Sequence, residues 1–312
     1  MNPAAISIII PTGSRLPLLQ RTMQSLADCV PPTGLRQVII AENGSRCGAE
    51  AAAARFAARL PVTYQFTEKP NKSDALNAAL AKCGDDLVVF FDDDIRIHRG
   101  AIVAYADAVQ KAGQRRFYCG PCRIDYEGQP PPDWLRPYLP PSAKGWDLGP
   151  AAVDFDRPDA LGFNWAAFAA DVRAAGGFDP KRGPGTAARG QESAMQERLL
   201  SMGIKGRYLP EALAWHFVPS SRCDESWALK RHEQEGVRTG LNSAGTGEPP
   251  GKPFRWRVRQ AALHLMLALA GPFFTRRRRF HYRYQRAYFT GVLQGWSQSR
   301  SAQTPSPKGE QP

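Results

Sequence analysis

Gly84-Asp85-Asp86-Leu87-Val88-Val89-Phe90-Phe91-Asp92-Asp93-Asp94-Ile95-Arg96 is the stretch around which the chain is organised. Leu87 to Phe91 is an unbroken aliphatic and aromatic run, which reads as a strand buried on both faces. Three aspartates follow at once. Adjacent acids at the mouth of a buried strand repel one another, so a positive group is expected to meet them. In open α/β sheets ligands bind beyond the carboxyl ends of the strands. Asp92 and Asp94, two apart on an extended backbone, point the same way and offer two hard oxygen ligands for Mg²⁺ or Mn²⁺. The plain alternative is a solvated acidic turn.

Working outward, Ile6 to Ile10 and Val38 to Ala41 are further buried-strand runs, ending in the polar clusters Pro11 to Arg15 and Glu42 to Ser45. Val62 to Thr67 alternates as a short strand. Helical spacing fills the gaps: Leu19, Met23, Leu26 and Val30, then Ala49 to Leu60, then a helix opened by Asn71 to Asn77 and running to Lys82. Alternating strand and helix predicts a parallel sheet. The three polar strand ends then converge on one edge, the place for a nucleotide pocket. No G-x-G-x-x-G follows the first strand and no P-loop is present, which argues against a dinucleotide-binding or P-loop site.

At 312 residues and 43% hydrophobic content the chain has material for one large α/β domain plus appendages. Its net charge of +12 is unevenly spread, since the acids concentrate before Glu235 while residues 251–300 are arginine-rich and hold none. That asymmetry points to an anionic surface partner, membrane or nucleic acid. The first residues lack a signal peptide's basic start and no segment reaches the length of a membrane span. The expected compartment is the cytoplasm, where the six cysteines stay reduced. Cys119-Gly120-Pro121-Cys122 spells a redox motif, but the residues after it alternate like a strand, which favours a structural reading.

Four segments taken in order, Ser7-Ile8-Ile9-Ile10-Pro11-Thr12, Ala41-Glu42-Asn43-Gly44-Ser45, Lys72-Ser73-Asp74-Ala75-Leu76-Asn77 and Phe91-Asp92-Asp93-Asp94, resemble the successive motifs of family 2 glycosyltransferases. Gly162-Phe163-Asn164, Gly176-Gly177-Phe178-Asp179, Gly190-Gln191-Glu192-Ser193 with Arg198-Leu199 and Gly203, and Trp215-His216 continue the pattern. The resemblance implies the GT-A fold: α/β, a mostly parallel sheet flanked by helices, here with C-terminal helices added. It implies a metal-dependent enzyme that moves a sugar from a nucleotide-diphosphate donor to a hydroxyl of a glycan or lipid-linked acceptor. One candidate base and no evident second nucleophile make the transfer inverting.

Carried onto this sequence, the resemblance puts Pro11, Thr12, Arg15, Glu42, Asn43, Lys72 and Asp93 at the donor nucleotide and Asp92, Asp94 and His216 at a divalent cation, Mn²⁺ or Mg²⁺. Glu192 becomes the general base. Asn164 and Trp165 are expected at the acceptor, and the proline-rich segment Gln129 to Pro150, with Trp134 and Trp146, has the composition of a lid. The pattern departs from the family at Glu42 and at Glu192, where Asp is usual, and at Asn71, where Gly is usual.

The expected organisation is a transferase domain over 1–240, a linker over 241–253, a basic amphipathic helical extension over 254–297 and a disordered tail over 298–312. In that extension Phe280, Tyr284, Ala287, Tyr288, Val292 and Trp296 share one helix face beside arginines, the chemistry of an interfacial helix. Peripheral attachment to the inner face of the cytoplasmic membrane follows as the expectation, ahead of a packed helical hairpin and of a nucleic-acid surface. Two rival functions remain: a nucleic-acid-binding protein using the basic C-terminus, and a metal-dependent nucleotidyltransferase cleaving between the α- and β-phosphates.

Overall fold

In the computed structural model, which describes residues 5–111, 115–183, 190–245 and 251–303, strand and helix alternate from the start. The order is β1 (Ile6–Thr12), α1 (Leu16–Ala27), β2 (Leu35–Asn43), α2 (Ala49–Ala54), β3 (Val62–Thr67), α3 (Lys72–Leu80) and β4 (Leu87–Phe91). β1 runs parallel to both β2 and β4, and β2 to β3. Every residue of β1 and β4 is buried, as continuous apolar runs require in a sheet covered on both faces. The two-residue period of a strand divides the core into two layers. Ile6, Ile8 and Ile10 face Leu19, Met23 and Leu26 of α1, whereas Ile9 and Ile39 face Ala75, Leu76 and Ala79 of α3.

Beyond the acidic triplet come β5 (Ile95–Ile97), α4 (Ala101–Lys111), β6 (Phe117–Cys119), β7 (Cys122–Tyr126), α5 (Pro141–Lys144), β8 (Val153–Phe155), β9 (Asn164–Phe168), α6 (Ala169–Ala174), α7 (Gln191–Ser201), β10 (Gly206–Tyr208) and β11 (Ala214–Val218). Among the described residues they complete an eight-stranded sheet ordered β3-β2-β1-β4-β9-β6-β10-β8 and a small sheet ordered β5-β11-β7. β9 enters antiparallel between β4 and β6, which makes the large sheet mixed. Cys119 and Cys122 sit on strands, both buried, and burial pushes the Cys122 thiol up to about 12. A redox cysteine needs the opposite environment.

The chain forms two compact units, Met1–Glu127 with Pro140–Val218, and Gly128–Leu139 with Pro219–Pro312. The second begins earlier than the expected boundary at 240 and takes in Gly128–Leu139, so Trp134 and Tyr138 of the expected lid instead pack edge-on against Phe280. Its helices are α8 (Glu225–Gly245), α9 (Gly251–Leu269) and α10 (Arg276–Gln303). Helix therefore occupies both ends of the expected linker and the start of the expected tail; 246–250 and 304–312 lie outside the described residues, as does most of the Gly183-to-Thr186 loop. No helix among the described residues is long and apolar enough to cross a membrane.

The aromatic face of α10 does not look outward. Phe280 and Val292 are buried, and Tyr284 stacks on His232 of α8 at 3.6 Å. The cause is a pair of glycine spacings, Gly236 and Gly240 on α8 against Gly291 and Gly295 on α10. A Cβ on Gly236 would stand 2.1 Å from the Tyr288 carbonyl oxygen, and one on Gly291 would stand 1.9 Å from that of Glu233. Small residues at the crossing set how near two helices come, and here the backbones touch.

Candidate active site

Two side chains supply the positive charge expected at the triplet. Arg15, from the loop after β1, forms ion pairs with both Asp93 and Asp94. Lys72, the first residue of α3, reaches Asp92 at 2.7 Å. Thr12 at the end of β1 donates to Asp93 Oδ2 at 2.6 Å. Asp93 and Asp94 are 0% and 5% exposed, which rules out a solvated turn. Burial pushes the Asp93 carboxyl up to about 6, against the pull of Arg15 and the Thr12 hydroxyl.

Lys72 also reaches Glu192, at 2.9 Å, on the first turn of α7. Burial opposes the charged forms of both groups. For Lys72 the attraction of Asp92 and Glu192 outweighs burial and holds the ammonium above its usual range. For Glu192 the attraction of Lys72 outweighs it and holds the carboxyl below the usual range, so the carboxylate is ionised. Burial, Asp94 and Glu192 raise Asp92 despite Lys72. Gln191 donates to Glu192 Oε1 at 3.2 Å. Gly162 accommodates the extra methylene of Glu192, since a Cβ there would lie 2.4 Å from its Cγ and Cδ. Asn71, the other departure, is the cap of α3: its side chain accepts from the Ser73 and Asp74 amides and donates to the Pro180 carbonyl.

β11 pairs antiparallel with β5, His216 opposite Ile95, and that register sets His216 beside the triplet. Its Nε2 is 3.6 Å from Asp94 Oδ1, and its ring stacks on Phe163 at 4.5 Å. Among the described residues, Asp94 Oδ1 is buried and accepts no hydrogen bond. A buried carboxylate oxygen left over in this way fits a hard cation, and carboxylate with imidazole is a donor set that Mn²⁺ accepts. Among the described residues no cluster of three or more His, Cys, Asp or Glu is drawn together as a cage.

The remaining expected residues make other contacts. Pro11 is inside β1, opposite Ala41, and Asn43 donates to the Thr12 carbonyl. Glu42 is turned inward: it accepts from the Cys47 amide and thiol and from the Tyr64 hydroxyl, which makes it the brace of the loop after β2. Asn164 and Trp165 do not line an open surface. Both are 0% exposed; Asn164 bonds Tyr105 and the Ala212 carbonyl, and Trp165 stacks on Phe90 at 4.8 Å. Both faces of the sheet are covered, so alternate residues of β9 are buried alike. Trp146 pairs with Cys122 through its backbone and packs edge-on against Tyr208. Gly162 and Phe163 are the site residues that motif reading missed, although both stand within the quoted Gly162-Phe163-Asn164 motif.

The sequence profile of glycosyl transferase family 2 matches residues 7–163, half of the chain, from β1 to the start of β9. The chain belongs to glycosyl transferase family 2. Solved structures agree on the fold of this glycosyltransferase, and the large sheet flanked by helices is that of GT-A enzymes. A mannosyltransferase, PcManGT from Pyrobaculum calidifontis, in complex with GDP-Man and Mn²⁺, is similar over 97% of this chain and 88% of its own, at 17% identity and TM-score 0.61. TarS residues 1–349 from S. aureus are similar over 96% of this chain and 92% of that one, at 11% identity and TM-score 0.52. GalNAc-T7 with UDP, GalNAc and Mn²⁺ is similar over 79% and 52%, at 11% identity and TM-score 0.55. No curated protein matches the transferase.

Proposed function

We propose that this family 2 enzyme is an inverting, metal-dependent glycosyltransferase. It takes a sugar from a nucleoside-diphosphate donor and passes it to a hydroxyl of a glycan or lipid-linked acceptor at the inner face of the cytoplasmic membrane, a step of polysaccharide assembly. The observation that carries the reading is the Lys72 ammonium joining the carboxylate after β4 to the carboxylate of α7. An ionised carboxylate beside the strand end where a diphosphate is expected supports a base in that position. GDP-Man and Mn²⁺ with the similar mannosyltransferase support the donor and cation classes.

Glu192 takes the proton of the acceptor hydroxyl as that oxygen attacks the anomeric carbon. Its ionised state under Lys72 keeps it ready, and Gln191 and Gly162 fix where its carboxylate stands. Asp94, with His216 and Asp92, would hold a divalent cation, whose contribution there would be Lewis-acid neutralisation of charge on the departing diphosphate. Arg15 and Lys72 bring two further positive charges to the same place, and Thr12 and Asn43 order the loop below them.

The test is thermal unfolding of the wild type and of Asp94→Asn with Mn²⁺ and a panel of UDP-, dTDP- and GDP-sugars. Binding to the native state raises apparent stability by mass action. A metal-dependent rise with one donor, lost in the variant, is expected; no rise with any donor overturns the reading. Product analysis separates the nucleotidyltransferase alternative, since sugar transfer releases nucleoside diphosphate and nucleotidyl transfer releases pyrophosphate.

A further inference from the structure

Among the described residues of the second unit, none covers one apolar face of α9. Among the described residues, the strongly exposed large apolar side chains Val30, Leu148, Val153 and Met202 are scattered, whereas Phe254, Val258, Leu265, Leu269 and Phe273 fall within one stretch of α9 and the turn after it. Scattered exposed side chains are ordinary and a contiguous run is not. At about 100° per residue, positions 254, 258, 265 and 269 occupy an arc of roughly 60°. The opposite side of α9 is half-buried at Trp256, Gln260, Leu263 and Leu267, and Gln260 bonds Thr290 of α10 at 2.9 Å. The stripe therefore faces away from α10.

Charge decides what the stripe meets. Arg255 and Arg257 are exposed and flank it on either side, Arg276 to Arg279 follow it and are exposed too, and residues 251–303 contain no Asp or Glu. Arg276, Arg279 and Arg283 line a cavity of about 200 Å³ whose one carboxylate is Glu225, so the cavity keeps a surplus of positive charge. We infer that the α9 stripe, continued by Phe273, is a docking surface for an anionic phospholipid bilayer. The helix lies in the headgroup plane, the five apolar side chains enter the acyl boundary, and the arginines reach lipid phosphates. A second copy of the chain is a poorer occupant, because it would set arginine against arginine with no acid on either helix. Nucleic acid is poorer still, since Val258, Leu265 and Leu269, the aliphatic majority of the stripe, offer bases no stacking platform. The inference rests on the peripheral-membrane reading above and names its surface as α9, not α10.

The experiment is co-flotation of the full chain with phosphatidylcholine vesicles, with and without phosphatidylglycerol, alongside Leu265→Glu/Leu269→Glu and Arg277→Ser/Arg278→Ser. The wild type is expected to float with anionic vesicles and to release as salt rises. The leucine variant is expected to bind at least tenfold more weakly with unchanged thermal unfolding, and the arginine variant to lose much of the salt-sensitive part. Equal flotation of wild type and leucine variant overturns the α9 assignment while leaving the membrane reading standing. A wild type that floats with no vesicle overturns both. Light scattering that finds a wild-type dimer and a monomeric leucine variant gives the face to a second copy and also overturns the inference. No donor sugar enters these assays, so their outcome is independent of the transferase chemistry.

Discussion

Lys72 Nζ stands 2.7 Å from Asp92 and 2.9 Å from Glu192, so one ammonium holds two carboxylates that are a hundred residues apart in the chain. In Lys72→Met both acids lose their counter-charge, and the carboxyl of Glu192 is released from the attraction that keeps it low. Glu192, the proposed base, then ionises only at higher pH. The expected result is lower turnover at neutral pH and an acidic limb of the pH–rate profile displaced upward, read from initial rates across a pH series. A purely structural lysine would leave that limb in place.

Glu192→Gln keeps the shape and removes the proposed base. Turnover should fall by roughly 10²–10⁴-fold while the donor-induced rise in unfolding temperature remains. Gly162→Ala should imitate part of this loss without changing the Glu192 carboxylate chemically, because the new methyl meets the Glu192 side chain at 2.4 Å. Its effect belongs in kcat, with donor affinity unchanged. An alanine variant with wild-type kcat would show that the carboxylate moves freely and that Gly162 does not position it.

Gly291→Ala tests the helix crossing. Its methyl would meet the Glu233 backbone carbonyl at 1.9 Å, and backbone cannot rotate away as a side chain does. Overpacking of this kind costs about 1–3 kcal/mol. Denaturant unfolding followed by helical signal should show the loss, whereas Gly271→Ala, whose added methyl would have no neighbour within 4 Å, should be close to neutral.

His232 lies between Tyr284 and Tyr288, and burial lowers its imidazole from 6.5 to about 4 although Glu235 pulls it upward. The unfolded chain therefore binds the proton first as pH falls. Stability from this group is complete above pH 6.5 and declines as pH falls from there toward 4. His232→Phe keeps the stacking and removes the titration, so the variant should lose less stability than wild type across that window in thermal unfolding at stepped pH.

The strands and the order of motifs were legible because β1 and β4 are continuous apolar runs, and a parallel sheet buried on both faces demands them. The polar strand ends were legible for the same reason. The Lys72–Glu192 bridge was not, since pattern within a window says nothing of partners so distant. The burial of Trp165 is not legible, because a tryptophan beside a motif looks the same in sequence whether the sheet face above it is open or covered. The partner of the α10 face is not legible either: periodicity reports that a helix has an apolar side and does not report which neighbour takes it. The spacing of Gly236 with Gly240 and of Gly291 with Gly295 was the available signal.

The chain leaves the first unit after Glu127, contributes Gly128–Leu139 to the second, and returns at Pro140. A stop codon after Val218 would therefore not yield a clean minimal transferase. It would strand Trp134 and Tyr138 in water, stripped of Phe280 and Tyr284, and create a sticky aromatic knot in the middle of the shortened polypeptide. Engineers wanting the first unit alone must splice out the internal excursion as well. The helical unit draws on two separated segments of the chain, so it moves as a cassette only when both are moved.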